Sequence, residues 1–255
     1  VTPANMAEVI RTNGSTDLFS KMLDRFSAPY YNSTLTTQYR QIYDIGNDSV
    51  FEKRYISGRS STGAMTTGPD KKSLGDFPLL TYDPGWNQYA ISSSTPKEQD
   101  MGAMFVPTDA AMKDYFVRGG GRVLMDRYAK LPNTDENIEY NLYQIPLDIL
   151  QALINNLMKD SFLESVPSKY LTIMNDAQDQ MFPATNADYE TEAKYKQCID
   201  KCLLANNGVV YVMNRVITPA DYASVIAPAL YSSNTQVIKS VVRADDKYIE
   251  GTSYN

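Results

Sequence analysis

Apolar residues recur every three to four positions near the start of the chain, first as Ala7, Val9 and Ile10, then as Leu18, Phe19, Met22 and Leu23. That spacing puts one face of a helix against a core and predicts helices over 3–11 and 16–26, separated by a break at Asn13-Gly14-Ser15. Residues 33–45 carry Thr, Tyr and Ile in partial alternation, which predicts a strand. From 45 to 100 the pattern dissolves into Gly, Ser, Pro and Asp, with turn signals at Ser57-Gly58, Thr67-Gly68-Pro69 and Asp83-Pro84-Gly85. So long a patternless stretch reads as an insertion with its own task, dispensable for the central fold.

Periodicity resumes at 101–112. Met104, Phe105 and Val106 form a short apolar strand, and Pro107 ends it. Thr108 then caps a helix whose first turn carries Asp109, a carboxylate placed favourably against the helix dipole. Helices are predicted over 122–130 and 145–158, the second with Ile145, Ile149, Leu150, Leu153, Ile154 and Leu157 on one face. Residues 168–174 and 199–205 read as strands. Asn206-Asn207-Gly208 joins the latter to the apolar run Val209–Met213, and an Asn-Gly step there signals a tight hairpin.

The chain also matches itself. Residues 1–10 read VTPANMAEVI and residues 217–226 read ITPADYASVI, identical at six of ten positions without a gap. Shared helix-start chemistry explains a common Thr-Pro pair. It does not explain the matching Ala, Val and Ile, nor the second apolar helix that follows each copy. The expectation is one unit over 1–216, with 217–255 a helical segment that is the possible start of a second.

Two boxes resemble a known family. Phe105-Val106-Pro107-Thr108-Asp109-Ala110-Ala111-Met112 resembles the "FAPTDEAF" box of fasciclin-type domains, and NNGVVYVMNRVITP over 206–219 resembles that family's closing motif. With the leading helix pair, the resemblance covers 1–44 and 101–219. It implies an α+β fold, a wedge of strands packed against several helices. It further implies a non-enzymatic adhesion or binding module, commonly in tandem copies, with Phe105, Pro107, Thr108, Asp109, Asn207, Gly208 and Pro219 as framework residues. Where family members often carry a histidine-containing box after the central apolar helix, this chain has Asn155-Asn156-Leu157.

Composition narrows the chemistry. The 255 residues include no histidine, which removes Ser-His-Asp and Cys-His nucleophile systems and imidazole metal sites. A net charge of −6 is wrong for a nucleic-acid partner, which needs clustered Lys and Arg. No apolar run approaches the roughly 20 residues that span a bilayer. Nineteen tyrosines with abundant Asn, Ser and Thr suit an exported bacterial protein at the cell surface, periplasmic or attached to the outer membrane. Its partner would be a protein or polysaccharide there, with contacts to neighbouring repeat units and no cofactor or metal.

Other groups in the chain are candidates for chemistry. Tyr82, Asp83, Trp86 and Tyr89, with Asp76 and Glu98 nearby, suit a sugar-binding platform, a paired-carboxylate glycosidase site or the insertion's own small core; the platform would make the chain a glycan-capture accessory protein. Cys198 and Cys202 lie four apart in a stretch that also reads as helical, leaving free thiols, a local disulfide or half a metal site. Gly119-Gly120-Gly121 lacks the Gly-Lys-Ser/Thr sequel of a phosphate loop and reads as a helix terminator. Asp221, Asp245 and Asp246 do not fit calcium-loop spacing. The triplets at Asn13, Asn32 and Asn47 matter as glycosylation sites only in a eukaryotic source.

Overall fold

The computed structural model describes residues 4–44, 46–57, 77–85, 102–162, 165 and 197–217. Two helices open it, α1 (Met6–Thr12) and α2 (Asp17–Asp24), close to the expected pair. The cap of α1 is Asn5, whose side chain accepts from the Glu8 N–H at 2.9 Å, so the helix starts three residues later than expected. Asn13 makes the break: its amide donates to the Val9 and Ile10 carbonyls while its oxygen accepts from Ser15, folding the chain back through Gly14 at φ 83°.

A hairpin-like unit follows, β1 (Ser27–Tyr31), α3 (Ser33–Tyr43) and β2 (Phe51–Tyr55), with β1 and β2 antiparallel. The strand expected over 33–45 is therefore a helix. Asn32 caps it by accepting from the Leu35 N–H at 2.8 Å, and the hydroxyls of Thr36 and Thr37 donate to the carbonyls four residues back. Those local bonds satisfy the threonines inside a helix. Leu35, Tyr39, Ile42 and Tyr43 then fall at helical spacing, which the apparent alternation concealed.

Four strands make the main sheet, in the order β4-β3-β6-β5: β3 (Gly102–Pro107), β4 (Met158–Lys159), β5 (Ile199–Ala205) and β6 (Gly208–Met213). Among them β3 and β6 run parallel, with Gly102 opposite Gly208 and Pro107 opposite Met213, and the outer pairings are antiparallel. Every residue of β3 and β6 is buried, so both read as continuous apolar runs, as strands covered on two faces do. Phe105 stacks on Tyr211 with ring centroids 5.5 Å apart. Helices α4 (Asp109–Lys113), α5 (Arg122–Tyr128), α6 (Ile138–Tyr143) and α7 (Leu147–Asn156) complete an α+β fold, α4 running into a π-helical turn at Asp114–Arg118. Helix α6 is absent from the sequence expectation. Gly119 caps the helical stretch that ends at Arg118, the terminator expected there, and Gly121 lies under the rings of Tyr115 and Phe116, where an added Cβ would come within 2.6 Å of Tyr115.

The framework residues of the two boxes hold distant elements together. Thr108 accepts from the Ala111 N–H at 3.1 Å and caps α4 as expected. Asp109 accepts from the Leu18 N–H at 2.8 Å and so caps α2, whose own preceding residue, Thr16, makes no capping bond. Asn207 is buried; it accepts from the Met6 N–H at 2.9 Å and donates to the Pro84 carbonyl at 3.0 Å. Pro219 and the strand expected over 168–174 lie outside the described residues.

Segment 45–100 is not a detached excursion in its described parts. Tyr55, Ile56, Leu80 and Tyr82 belong to the buried core, and Gln151 and Asn155 of α7 grip the segment, both donating to the Leu79 carbonyl at 2.6 and 3.1 Å. Asn155 also accepts from the Thr81 N–H at 3.0 Å. These parts supply buried rings and a paired strand, which argues against the expectation that the segment is dispensable for the central fold.

Candidate binding cleft

The expected aromatic and carboxylate platform does not form from its described members. Tyr82 and Asp83 are 7% and 4% exposed. The Tyr82 hydroxyl donates to the Ala103 carbonyl at 2.7 Å, spending its polar end inside the fold. Asp83 accepts from the Gly85 N–H at 2.8 Å. Burial pushes its carboxyl up to about 6, against the opposing pull of the Gly85 and Tyr55 N–H groups and the Arg54 charge. Neither side chain offers a face to a ligand. Trp86 and Tyr89 lie outside the described residues.

Charged and aromatic side chains gather instead between α2 and α6. A cleft of about 260 Å³ is lined by Leu18, Lys21, Met22, Asp24, Arg25, Glu139, Leu142 and Tyr143. Its floor is Leu18, Met22 and Leu142, all buried. On the rim, Lys21 bridges Asp17 at 2.7 Å and Glu139 at 2.9 Å, and those two carboxylates raise its ammonium above the usual range. Arg25 donates to the carbonyls of Leu142 and Ile145 at 3.2 and 2.7 Å and lies 4.8 Å from the centre of the Tyr143 ring. Burial lowers its guanidinium from the ordinary value. Asp24 accepts from the Tyr55 hydroxyl at 2.8 Å and pairs with Lys53 at 2.5 Å. Tyr143 stands 67% exposed as one wall.

Every rim charge thus has a partner within the chain, while the floor is apolar. Such a site recognises an apolar group more readily than an ion, because a charged ligand would have to displace an existing partner. The sequence signal was faint: the Asp17-Lys21 pair at helical spacing was visible, but its meeting with Glu139 depends on α6.

Exposed aromatic rings occupy a second region. Tyr39 and Tyr43 lie 5.2 Å apart on α3, and Tyr31 and Phe51 lie 5.9 Å apart across β1 and β2. All four are more than two-fifths exposed. Cys198 and Cys202 are free thiols, buried and exposed respectively, with Cys202 on β5 rather than on a helix. Burial raises both thiols. Among the described residues no cluster of three or more Cys, Asp or Glu gathers to hold a metal ion, and no helix is long and apolar enough to cross a membrane.

The fold and cleft define a class, an α+β protein with a small apolar-floored, charge-rimmed recess. Compared with protein-family models, curated proteins and solved structures, the chain matches none.

Proposed function

We propose that the chain is a non-enzymatic binding module of the fasciclin-like adhesion kind, working outside the cytoplasm, and that the α2–α6 cleft takes one apolar side chain from a partner protein. The observation that carries this reading is the buried floor of Leu18, Met22 and Leu142 beneath a rim whose charged groups are already hydrogen-bonded or paired within the chain. A recess of about 260 Å³ lies below the range of cofactor and drug-sized pockets and suits a single anchor side chain. The tandem setting follows from the internal repeat, and a neighbouring unit is one such partner.

Titration of the full chain with N-acetylphenylalaninamide, followed by amide NMR, tests it. Saturable shifts at Leu18, Lys21, Glu139 and Leu142, abolished in Tyr143→Ala, are expected. Absence of saturable shifts at those residues would overturn the assignment of the cleft. Tyr143 is exposed, so its loss leaves the core intact.

A second reading, capture of a cell-surface polysaccharide, is favoured by the exposed Tyr39–Tyr43 and Tyr31–Phe51 pairs, since sugar rings stack on open aromatic faces. Saturable polysaccharide binding lost in a Tyr39→Ala, Tyr43→Ala double variant, with cleft binding unchanged, would select this reading. Loss in Trp86→Ala instead would return the site to the segment first expected to carry it.

A further inference from the structure

The turn Asp83–Gly85 is tied by three hydrogen bonds to two separate places, the start of α1 and the β5–β6 turn. The Ala7 N–H from the first turn of α1 donates to the Pro84 carbonyl at 3.0 Å. The Asn207 amide, between β5 and β6, donates to the same oxygen at 3.0 Å, and the Asn5 amide donates to the Gly85 carbonyl at 3.0 Å. Asn207 also accepts from the Met6 N–H, so the turn, the start of α1 and the β5–β6 turn form one polar knot. Beneath it lies the Asp83 carboxyl, almost without contact with water.

The charged surroundings of Asp83 come chiefly from β2. Arg54 faces it electrostatically, bonded to Glu52 at 3.2 Å and laid over the Tyr30 ring of β1 at 5.6 Å. Tyr55 offers Asp83 its backbone N–H, while its phenol reaches Asp24 of α2 and feels Arg11 of α1. Arg54 favours the ionised carboxylate and burial opposes it.

We propose that Asp83 is a pH-sensitive latch: with the carboxyl neutral, the turn 81–85 stays docked on α1 and Asn207, and with it ionised the turn opens more often. Only the open turn lets water solvate the carboxylate, so ionisation favours opening. The balance of forces on the closed carboxyl agrees, since burial outweighs Arg54 and the two N–H groups and leaves the group near 6 rather than 3.8. Opening should therefore become about tenfold more frequent between pH 5 and pH 7.5. It uncovers the Met6 and Ala7 amides and the side chain of Asn207.

Hydrogen exchange of the full chain, corrected for intrinsic chemical rates, reads this directly. Amides of Leu80–Asp83, Gly85, Met6 and Ala7 should exchange about tenfold faster at pH 7.5 than at pH 5, while residues 149–154 of α7 serve as the unaffected reference. In Asp83→Asn, which keeps an acceptor for Gly85 but carries no charge, the pH dependence should vanish. Equal protection at both pH values, slower exchange at the higher pH, or an unchanged dependence in Asp83→Asn would overturn the latch. Should that variant not fold, carbon NMR of the wild-type Asp83 carboxyl decides: a midpoint near 6 supports the latch and one below 4.5 refutes it.

Discussion

Asp109 shows how one residue in a short box acts on an element far along the chain. Its carboxylate stands at the start of α4 and also accepts from Leu18, closing the N-terminus of α2. Asp109→Ala should therefore cost about 1–2 kcal/mol in urea unfolding, against about 1 kcal/mol for Thr108→Ala, which loses one cap of a five-residue helix. Equal costs would show that the Leu18 bond contributes nothing. Gly208 is a residue whose role differs from its sequence signal. The turn between β5 and β6 consists of Asn206 and Asn207, and Gly208 pairs with Ala205 as the first residue of β6. Glycine is required because an added Cβ would strike the Gly102 carbonyl and come within 2.7 Å of the Met6 sulfur. Gly208→Ala should cost about 3 kcal/mol by overpacking, measured by thermal unfolding. Asp83 gives a pH prediction with a definite sign. Its carboxyl rises from 3.8 to about 6 on folding, so the folded state holds the proton more tightly. Its contribution is most favourable below pH 4 and declines by about 3 kcal/mol as the pH rises past 6. The stability gap between Asp83→Asn and wild type should widen in favour of the variant from pH 4 to pH 7; a constant gap would contradict the buried charge.

At the scale of elements, α3 and the segment around it decide what the fold can lose. Helix α3 buries only Thr36, whose hydroxyl accepts from the Val50 N–H at 2.9 Å and stitches the helix to the chain before β2. Its aromatic face does not hold the core, so Tyr39→Ala with Tyr43→Ala should leave the melting temperature nearly unchanged. The flanking strand is different: replacing residues 46–85 with a short linker removes β2, Tyr55, Ile56, Leu80 and Tyr82 together. Loss of a cooperative calorimetric transition is expected, and its survival would show that the sheet and α7 close the core without this segment. Both elements were hard to read from sequence for one reason. Threonines whose hydroxyls bond to their own helix mimic a strand pattern, and isolated apolar residues among Gly, Ser and Pro show no period although each finds a buried place.

For the whole molecule, the parallel pair β3 and β6 joins residues about a hundred positions apart, and the helices pack around it. Ile217, just beyond β6, is buried and marks the last described core residue. A chain ending after residue 228 should keep its cooperative transition with only a modest fall in melting temperature; collapse would show that the residues beyond 228 are needed by the core described here. Asn5 caps α1, and the residue aligned with it in the sequence match at 217–226 is Asp221, a type that also suits a helix cap.

The sequence by itself determined what short-range chemistry dictates: the paired N-terminal helices, the strand-to-helix corner at Thr108, the apolar face of α7 and the β5–β6 hairpin. Each depends on residues within a few positions of one another, so period and capping residues suffice to reveal it. Only the tertiary structure decided the rest. Tyr82 and Asp83 look like surface ligands beside Pro and Gly, yet β2 and the knot around Asn207 enclose them. Lys21 looks like one half of an ordinary helix pair until α6 brings Glu139 to it across 118 residues. A side chain's neighbours across such distances are set by which elements share the core, and no local pattern encodes that choice.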